Sequence, residues 1–445
     1  MNWLEDRFKE LGSNVAAYEN GRGWTYAEIL QEKERLKNQL SCSGIPPFAC
    51  IAVEDYSIVK VLAGILAISE LELIVLPIML TVSEEEIHKQ KSVAGVSWTL
   101  RKGELVESIQ TQILPSPLID ELADRKHSGL ILFSSGTSGE PKGMLHDLNE
   151  LLLRYRRVKP RSDSTIQLLL PDHIGGIDSA FRTWLSGSIM VVPKERTPDG
   201  VGSAVETYSA NILPATPTFF NLLLLSGVLD KYNFSSLEIL TYGAEPMPLP
   251  LLASLSQAFP KVDLQQKFGT SETGTVRVKG SSNESLNFII TDADVEWQVL
   301  DSELWIKTPS RILGYLNADN SSLEKDGWYR TGDLVDQAAD GSIRIIGRAS
   351  AMINVGGLKV HPSEVETVLA EIQGIQSCQV FGKATAVSGN QVACQIIVSE
   401  NHDLRMWKQI IRRHCRGRLA PWKIPSTVEI ISEVLVTDRL KHLKP

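Results

Sequence analysis

Short apolar runs of strand length recur along this chain, and segments with helical spacing lie between them. The runs CIAV at Cys50 to Val53, LILF at Leu130 to Phe133, TIQLLL at Thr165 to Leu170, SIMVV at Ser188 to Val192 and LEILTYG at Leu237 to Gly243 read as buried strands. Amphipathic pieces such as SAFRTWLSG and PTFFNLLLLSG separate them. The alternation predicts an α/β body with largely parallel sheet. From Asp326 the texture changes to short alternating strands with turns, Asp340-Gly341 among them, which predicts antiparallel hairpins. A separate βα-type segment follows Gly347, so a domain boundary is expected near Gly347 to Ala351, with residues 1–347 in a large domain and 348–445 in a small α+β one. No internal repeat or low-complexity segment is visible.

The LILF run passes abruptly into SSGTSGEPKG, the pattern of a buried strand delivering a polar loop to a site at its end. Gly136, Gly139 and Gly143 let the backbone turn its amides inward. Those amides, the hydroxyls of Ser134, Ser135, Thr137 and Ser138, and the ammonium of Lys142 would form a concave anion site suited to a polyphosphate. A solvent-exposed Gly/Ser turn is the plain alternative. The spacing is not the Walker pattern, because Pro141 precedes Lys142 and no Ser or Thr follows it.

At 445 residues the chain can bury a large core, and two or more domains are expected. A formal net charge of −8 gives no bulk attraction to nucleic acid. Cys42, Cys50, Cys378, Cys394 and Cys415 are odd in number and form no CxxC pair, which points to reduced thiols and a cytoplasmic compartment. MNWLEDRFKEL carries early acids and lacks the features of a signal peptide, so the mature chain is expected to start there. The stretch from Val61 to Leu80 is interrupted by Glu70 and Glu72, which argues against a membrane span. It reads instead as a buried helix, Ile58 to Ile68, feeding a short strand at Leu73 to Leu76 that Pro77 ends.

SSGTSGEPKG is followed by YGAEPMP at Tyr242, FGTSETG at Phe268, YRTGDL at Tyr329, GRASAMINVGGLKVHPSEVE at Gly347 and TDRLKHLK at Thr437. In that order these motifs resemble the superfamily of adenylate-forming (AMP-binding) enzymes, which includes acyl- and aryl-CoA synthetases, nonribosomal adenylation domains and luciferase. The resemblance covers nearly the whole chain. It implies ATP-dependent conversion of a carboxylic acid to an acyl-adenylate, then transfer to the thiol of coenzyme A. Loading of a carrier-protein phosphopantetheine is an alternative, as is a nucleotide-binding descendant that forms no thioester.

The same resemblance implies roles for particular residues. Thr137 and Lys142 suit the pyrophosphate of ATP, with Ser134, Ser135, Gly136, Ser138 and Gly139 around it. Glu272, with Thr137, would hold magnesium, and Ser271 would donate to phosphate. Gly243, Ala244 and Glu245 would read the adenine edge, with Gly269 and Thr270 nearby. Phe268 would stack on adenine where the family usually has tyrosine, or simply pack in the core. Asp333 has two acceptor oxygens for the ribose hydroxyls, and Arg348 would add donors to the same sugar. The acid pocket would involve His173 as a gate or wall, Gly175 to Ile177 along the floor, and Tyr242, Gly243, Thr270 and Thr275. A satisfied histidine at a strand end is the other reading of His173. Asp172 and Asp178 would bind an amino group or face solvent.

The resemblance further implies that the small domain rotates between two half-reactions. Lys441 would serve adenylation, and the GGLKV loop with Gly356 and Gly357 would admit a pantetheine thiol in the second. Two departures stand out: Ser350, within ASA, replaces the usual hinge aspartate or lysine, and Leu440 replaces the glycine before the lysine. Lys408, Arg412 and Arg416, with Arg413 and Arg418 beside them, give a C-terminal helix a basic face. Such a face would meet the phosphates of coenzyme A or an acidic carrier protein, or lie solvated.

Overall fold

The computed structural model describes residues 2–107, 117–134, 141–280, 282–324, 326–385, 389–399, 402–432, 437 and 440–441. Its first sheet runs Asp263–Gln266, Ile239–Tyr242, Ile212–Ala215, Ser164–Ile166, Ile189–Val191, Val15–Glu19, all parallel, and ends on antiparallel Arg22–Thr25. A second sheet has Gly129–Ser134, Ile74–Met79, Cys50–Asp55 and Val96–Arg101 parallel at its centre. Antiparallel strands close both its margins, with Lys142–Asp147 and Gly314–Tyr315 on one side and Glu104–Glu107 on the other. The body is therefore α/β with mixed, largely parallel sheets.

The helix Ile58–Ile68 lies where its sequence places it, and every residue except Lys60 is buried. Ser57 caps it by accepting from the Lys60 amide at 3.2 Å. Burying such aliphatic side chains contributes roughly 1.5–3 kcal/mol each, so the helix is held by the surrounding core rather than by propensity. Glu70, just beyond it, bonds to Lys33 at 2.7 Å and Lys37 at 2.5 Å. Among the described residues no helix is long and apolar enough to cross a membrane. All five cysteines are free thiols.

Three boundaries differ from expectation. Pro77 does not end its strand, which runs Ile74–Met79. Pairing with Gly129–Ser134 reaches only Ile74 and Val75, so Pro77 stands beyond the ladder on that side, where a missing donor costs little. The run at Thr165 to Leu170 is a strand only through Ile166, because the chain turns back, and the Gln167 side chain bonds the Leu169 and Gly176 carbonyls at 2.6 and 3.1 Å. The antiparallel texture begins with the Phe268–Val276 hairpin rather than at Asp326. A third sheet orders Val278–Gly280, Phe288–Ile290, Ile343–Arg348, Trp328–Gln337, Glu303–Lys307 and Glu296–Leu300.

The C-terminal domain has its own sheet, built from Leu358–Val360, Ile353–Val355, Gly389–Val398, Ile375–Thr385 and Thr427–Ile430. Its core is closed by Val365 and Leu369 of helix Pro362–Ala370 and by Trp407, Ile411 and Cys415 of helix Leu404–Cys415. Helix Pro362–Ala370 packs on the third sheet and on helix Leu249–Ala258 of the large body.

Candidate active site at the strand ends

Ser134 and Lys142 face one another across the antiparallel pair Gly129–Ser134 and Lys142–Asp147. They are the stems of the glycine-rich loop. Ser135, Gly136, Thr137, Ser138 and Gly139 lie outside the described residues. The far stem is bracketed by Asn317, whose Nδ2 donates to the Pro141 carbonyl at 2.9 Å and whose Oδ1 accepts from the Gly143 amide at 3.0 Å. Asp319 lies near enough to feel Lys142. Its carboxyl is held below the usual range first by the Ser321 hydroxyl and amide, and in smaller part by that ammonium.

Strands Phe268–Thr270 and Gly274–Val276 form a tight hairpin with Ser271 and Glu272 in its turn. The Thr270 hydroxyl accepts from the amides of Glu272 and Thr273 at 3.2 and 3.1 Å, which fixes the turn. Arg154 clamps the hairpin from outside, donating to the Thr275 carbonyl and, at 3.1 Å, to Ser310 Oγ. The Glu272 backbone carbonyl accepts from the Ile312 amide at 2.8 Å, and its carboxylate accepts from the Tyr315 hydroxyl at 2.7 Å. Burial and then the charge of Glu272 push the Tyr315 phenol well above its ordinary range.

Asp333 and Arg348 are direct cross-strand partners in the third sheet. Arg348 Nε is 2.7 Å from Asp333 Oδ1, and Arg348 Nη1 donates to the Thr331 carbonyl at 2.8 Å. Asp333 is 5% exposed. Burial raises its carboxyl to about 6, Arg348 opposes that shift, and the charges of Glu272 and Glu303 add to it. Glu272, Asp333 and Arg348 thus share one corner, with Tyr315 and the buried Tyr329 between them. Tyr315 and Asn317 carry no signal in hydrophobic period or spacing that would have singled them out, whereas Tyr329 opens the YRTGDL motif.

Tyr242 ends its strand, and its carbonyl accepts from the Lys267 amide at 2.7 Å. Gly243 and Ala244 follow, Ala244 with a left-handed φ of 67°. The Glu245 carboxylate accepts from the Thr218 hydroxyl at 2.7 Å, in the first turn of helix Pro217–Leu225. Phe268 is 5% exposed, and its ring stacks on Phe288 with centroids 5.6 Å apart. Gly269 lies between Phe268 and Thr270 in the hairpin strand.

His173 caps helix Ile174–Ser186, with Nδ1 accepting from the Gly175 amide at 3.1 Å. The following Gly176 is pressed against the preceding loop, where a Cβ would come within 1.8 Å of the Leu170 carbonyl oxygen. The helix packs on strand Gly274–Val276, which contains Thr275. Asp178 does not face solvent. It is buried, accepts from the Tyr155 hydroxyl at 3.0 Å, and pairs with Arg182 at 3.1 Å. Burial alone would raise its carboxyl, but Arg182 and Arg154 outweigh that and hold it below the usual range.

Gly356 and Gly357 form a two-residue turn between Ile353–Val355 and Leu358–Val360, with φ of 57° and 90°. That turn requires glycine or asparagine whatever else it does. Ala349–Ala351, including Ser350, is a short 3₁₀ turn directly after Arg348. Leu440 is buried in the core of the large body, and its carbonyl accepts from the Thr216 hydroxyl. Lys441 therefore follows a residue anchored just past strand Ile212–Ala215, whose Ala215 pairs with Tyr242. Lys408, Arg412, Arg413, Arg416 and Arg418 are exposed, but Arg416 lies past the end of helix Leu404–Cys415 and does not share its face.

Comparisons with known proteins show the family of the chain. Acyl-CoA synthetase 7 of Caenorhabditis elegans is 28% identical over 377 residues, 77% of this chain and 68% of its own. The 2-succinylbenzoate–CoA ligase of Listeria innocua is 24% identical over 455 residues, 97% and 96% of the two chains. The solved structure of ATP-bound MatB from Rhodopseudomonas palustris is similar with a TM-score of 0.80 at 22% identity, covering 98% of this chain and 96% of that one. The AMP-binding enzyme family matches residues 4–316 and the AMP-binding enzyme C-terminal domain matches residues 364–440, so the chain belongs to the AMP-binding enzyme family.

Proposed function

We propose that the chain joins a carboxylic acid to coenzyme A in two steps, the first of which consumes ATP. A carboxylate oxygen attacks the α-phosphorus of ATP, pyrophosphate leaves, and an acyl-adenylate forms. The coenzyme A thiolate then attacks the acyl carbon and AMP leaves. The observation that carries this reading is the shared corner of Glu272, Asp333 and Arg348, set beside strand ends that carry Lys142 and Tyr242.

Each group has a task there. Asp333 accepts from the ribose hydroxyls, and Arg348 holds that carboxylate ionised and donates to the same sugar. Lys142 neutralises the departing pyrophosphate, with the loop residues 134–139 around it. Glu272, oriented by Tyr315, is the hard oxygen donor that magnesium takes, and Thr137 would be a second. The ion, when bound, offsets charge on the phosphates. The backbone at Gly243 to Glu245 reads adenine, and the acid lies between the His173 helix end and Tyr242, Thr270 and Thr275. Residues 348–445 form a mobile domain that turns about Gly347 to Ala351, bringing Lys441 to adenylation and the Gly356–Gly357 turn to the thiol step.

The test is AMP release in the presence of ATP, magnesium and coenzyme A over aryl, short-chain, fatty and amino acids, with 2-succinylbenzoate among the aryl members. Release that requires both an acid and coenzyme A is expected. Release only with a phosphopantetheinylated carrier protein would replace the acceptor. Silence across the panel in a chain that binds ATP would overturn the ligase.

A further inference from the structure

Leu440 occupies a backbone conformation that leucine avoids, with φ of 54°. It closes a turn in which its amide donates to the Thr437 carbonyl and the Thr437 amide donates to the Lys441 carbonyl, both at 2.8 Å. A bulky residue stays in such a conformation only where its surroundings hold it. Two anchors do so. The side chain is 8% exposed and lies in a cluster whose other buried members all come from residues 166–264, Ala215, Phe219, Tyr242 and Met247 among them. The carbonyl accepts from Thr216 Oγ1, the oxygen that also accepts from the Phe219 amide at 3.1 Å to cap helix Pro217–Leu225.

We propose that Leu440 is a positioning residue, an apolar plug that docks the C-terminal segment on the large body and so sets Lys441 at the ends of strands Ile212–Ala215 and Ile239–Tyr242. This rests on the two-step reading above. The plug is seated during adenylation and withdraws before the thiol step, because the chain that carries it belongs to the domain that turns. Leaving the pocket relieves the left-handed strain but exposes the leucine, so the two placements stay close in free energy and one side chain tips the balance.

The test uses the full chain with Leu440→Gly, which keeps the backbone shape and removes the plug, and Leu440→Met, which keeps an apolar plug. Hydrogen exchange of the Thr437–Lys441 segment in the acid-free protein should accelerate about tenfold in the glycine variant and return toward wild type in the methionine variant. Helix Ile58–Ile68 should stay unchanged in both. Wild-type exchange already at the unprotected rate, or identical protection in wild type and glycine variant, would overturn the plug. With an acid that supports turnover, Leu440→Gly should lower the kcat of pyrophosphate exchange about tenfold with KM for ATP unchanged, and leave thioester formation from supplied acyl-adenylate at or above wild type. An equal fall in both steps would contradict the positioning role. A chain inactive with every acid would defeat the ligase reading, while hydrogen exchange would still decide whether Leu440 anchors the segment.

Discussion

The corner at Asp333 and the segment at Lys441 both carry charged groups, but they are held in opposite ways. Asp333 is a buried strand residue, braced by its cross-strand arginine, by the Thr331 hydroxyl at 3.0 Å from its amide, and by neighbours on the same rigid sheet. Lys441 sits in a short turn that touches the large body through Leu440 and Thr216. On the proposed two-step reading, a group needed in every state of the cycle is built into a hydrogen-bonded layer, and a group needed for one step is carried on a segment that can leave.

The largest effect expected from breaking this contrast is at Lys441. If Lys441 is the donor used in the adenylation transition state, as proposed, Lys441→Ala should lower pyrophosphate exchange a hundredfold to a thousandfold, roughly 3–4 kcal/mol. Thioester formation from supplied acyl-adenylate should survive. Exchange near the wild-type rate would remove Lys441 from adenylation.

Asp333 should show its burial in pH dependence. Its carboxyl sits at about 6 in the folded chain against 3.8 when exposed, so between those values the folded chain holds a proton that the unfolded chain has released. Stability from this group is therefore full below about pH 4 and falls toward pH 6, by at most about 3 kcal/mol. Denaturant melts at pH 4 to 7 should show that fall, and Asp333→Asn should flatten it. The KM for ATP should drop as pH rises through about 6, because only the ionised carboxylate accepts from both ribose hydroxyls. A KM indifferent to pH across that range would separate Asp333 from the ribose.

Smaller changes sharpen the same comparison. Tyr315→Phe removes one bond to the Glu272 carboxylate and should cost about tenfold in kcat/KM for ATP, about 1.4 kcal/mol. Thermal stability should move little, and an unchanged kcat/KM would mean that Glu272 needs no orienting. Gly357→Asn keeps the left-handed turn but adds a side chain to it, so thioester formation should slow by roughly a few-fold with pyrophosphate exchange unaffected. Equal slowing of both steps would show the turn to be structural only.

Much of the large body was legible because its signals are local. The helix Ile58–Ile68 is apolar nearly all round and bounded by a capping serine, and the run Leu130 to Phe133 is too apolar to be anything but buried. Pro77 misled because the sequence does not show where a neighbouring strand stops pairing. Asp178 misled because, although Arg182 is its i,i+4 neighbour on the same helix, its other partner Tyr155 lies on a separate segment, and the carboxylate is buried only once the two pack. Motif order pointed to Glu272, Asp333 and Arg348. Of the groups that orient and brace them, Tyr315 and Asn317 lie in a segment without period or motif of its own that the margin of the second sheet brings in, and Thr331 lies inside the YRTGDL motif but its bond to the Asp333 amide appears only in the third sheet. Leu440 was visible as a departure from a pattern. Its burial in a cluster formed some two hundred residues earlier was not.

On the proposed reading this chain forms an acyl-adenylate before any thiol takes part. Acid-dependent exchange of labelled pyrophosphate into ATP, measured with magnesium and without coenzyme A, tests it most directly. Label should appear in ATP only when a suitable carboxylic acid is present, at a rate that collapses in Lys441→Ala. ATP binding without exchange for any acid of the panel, or exchange that requires the thiol, would contradict it.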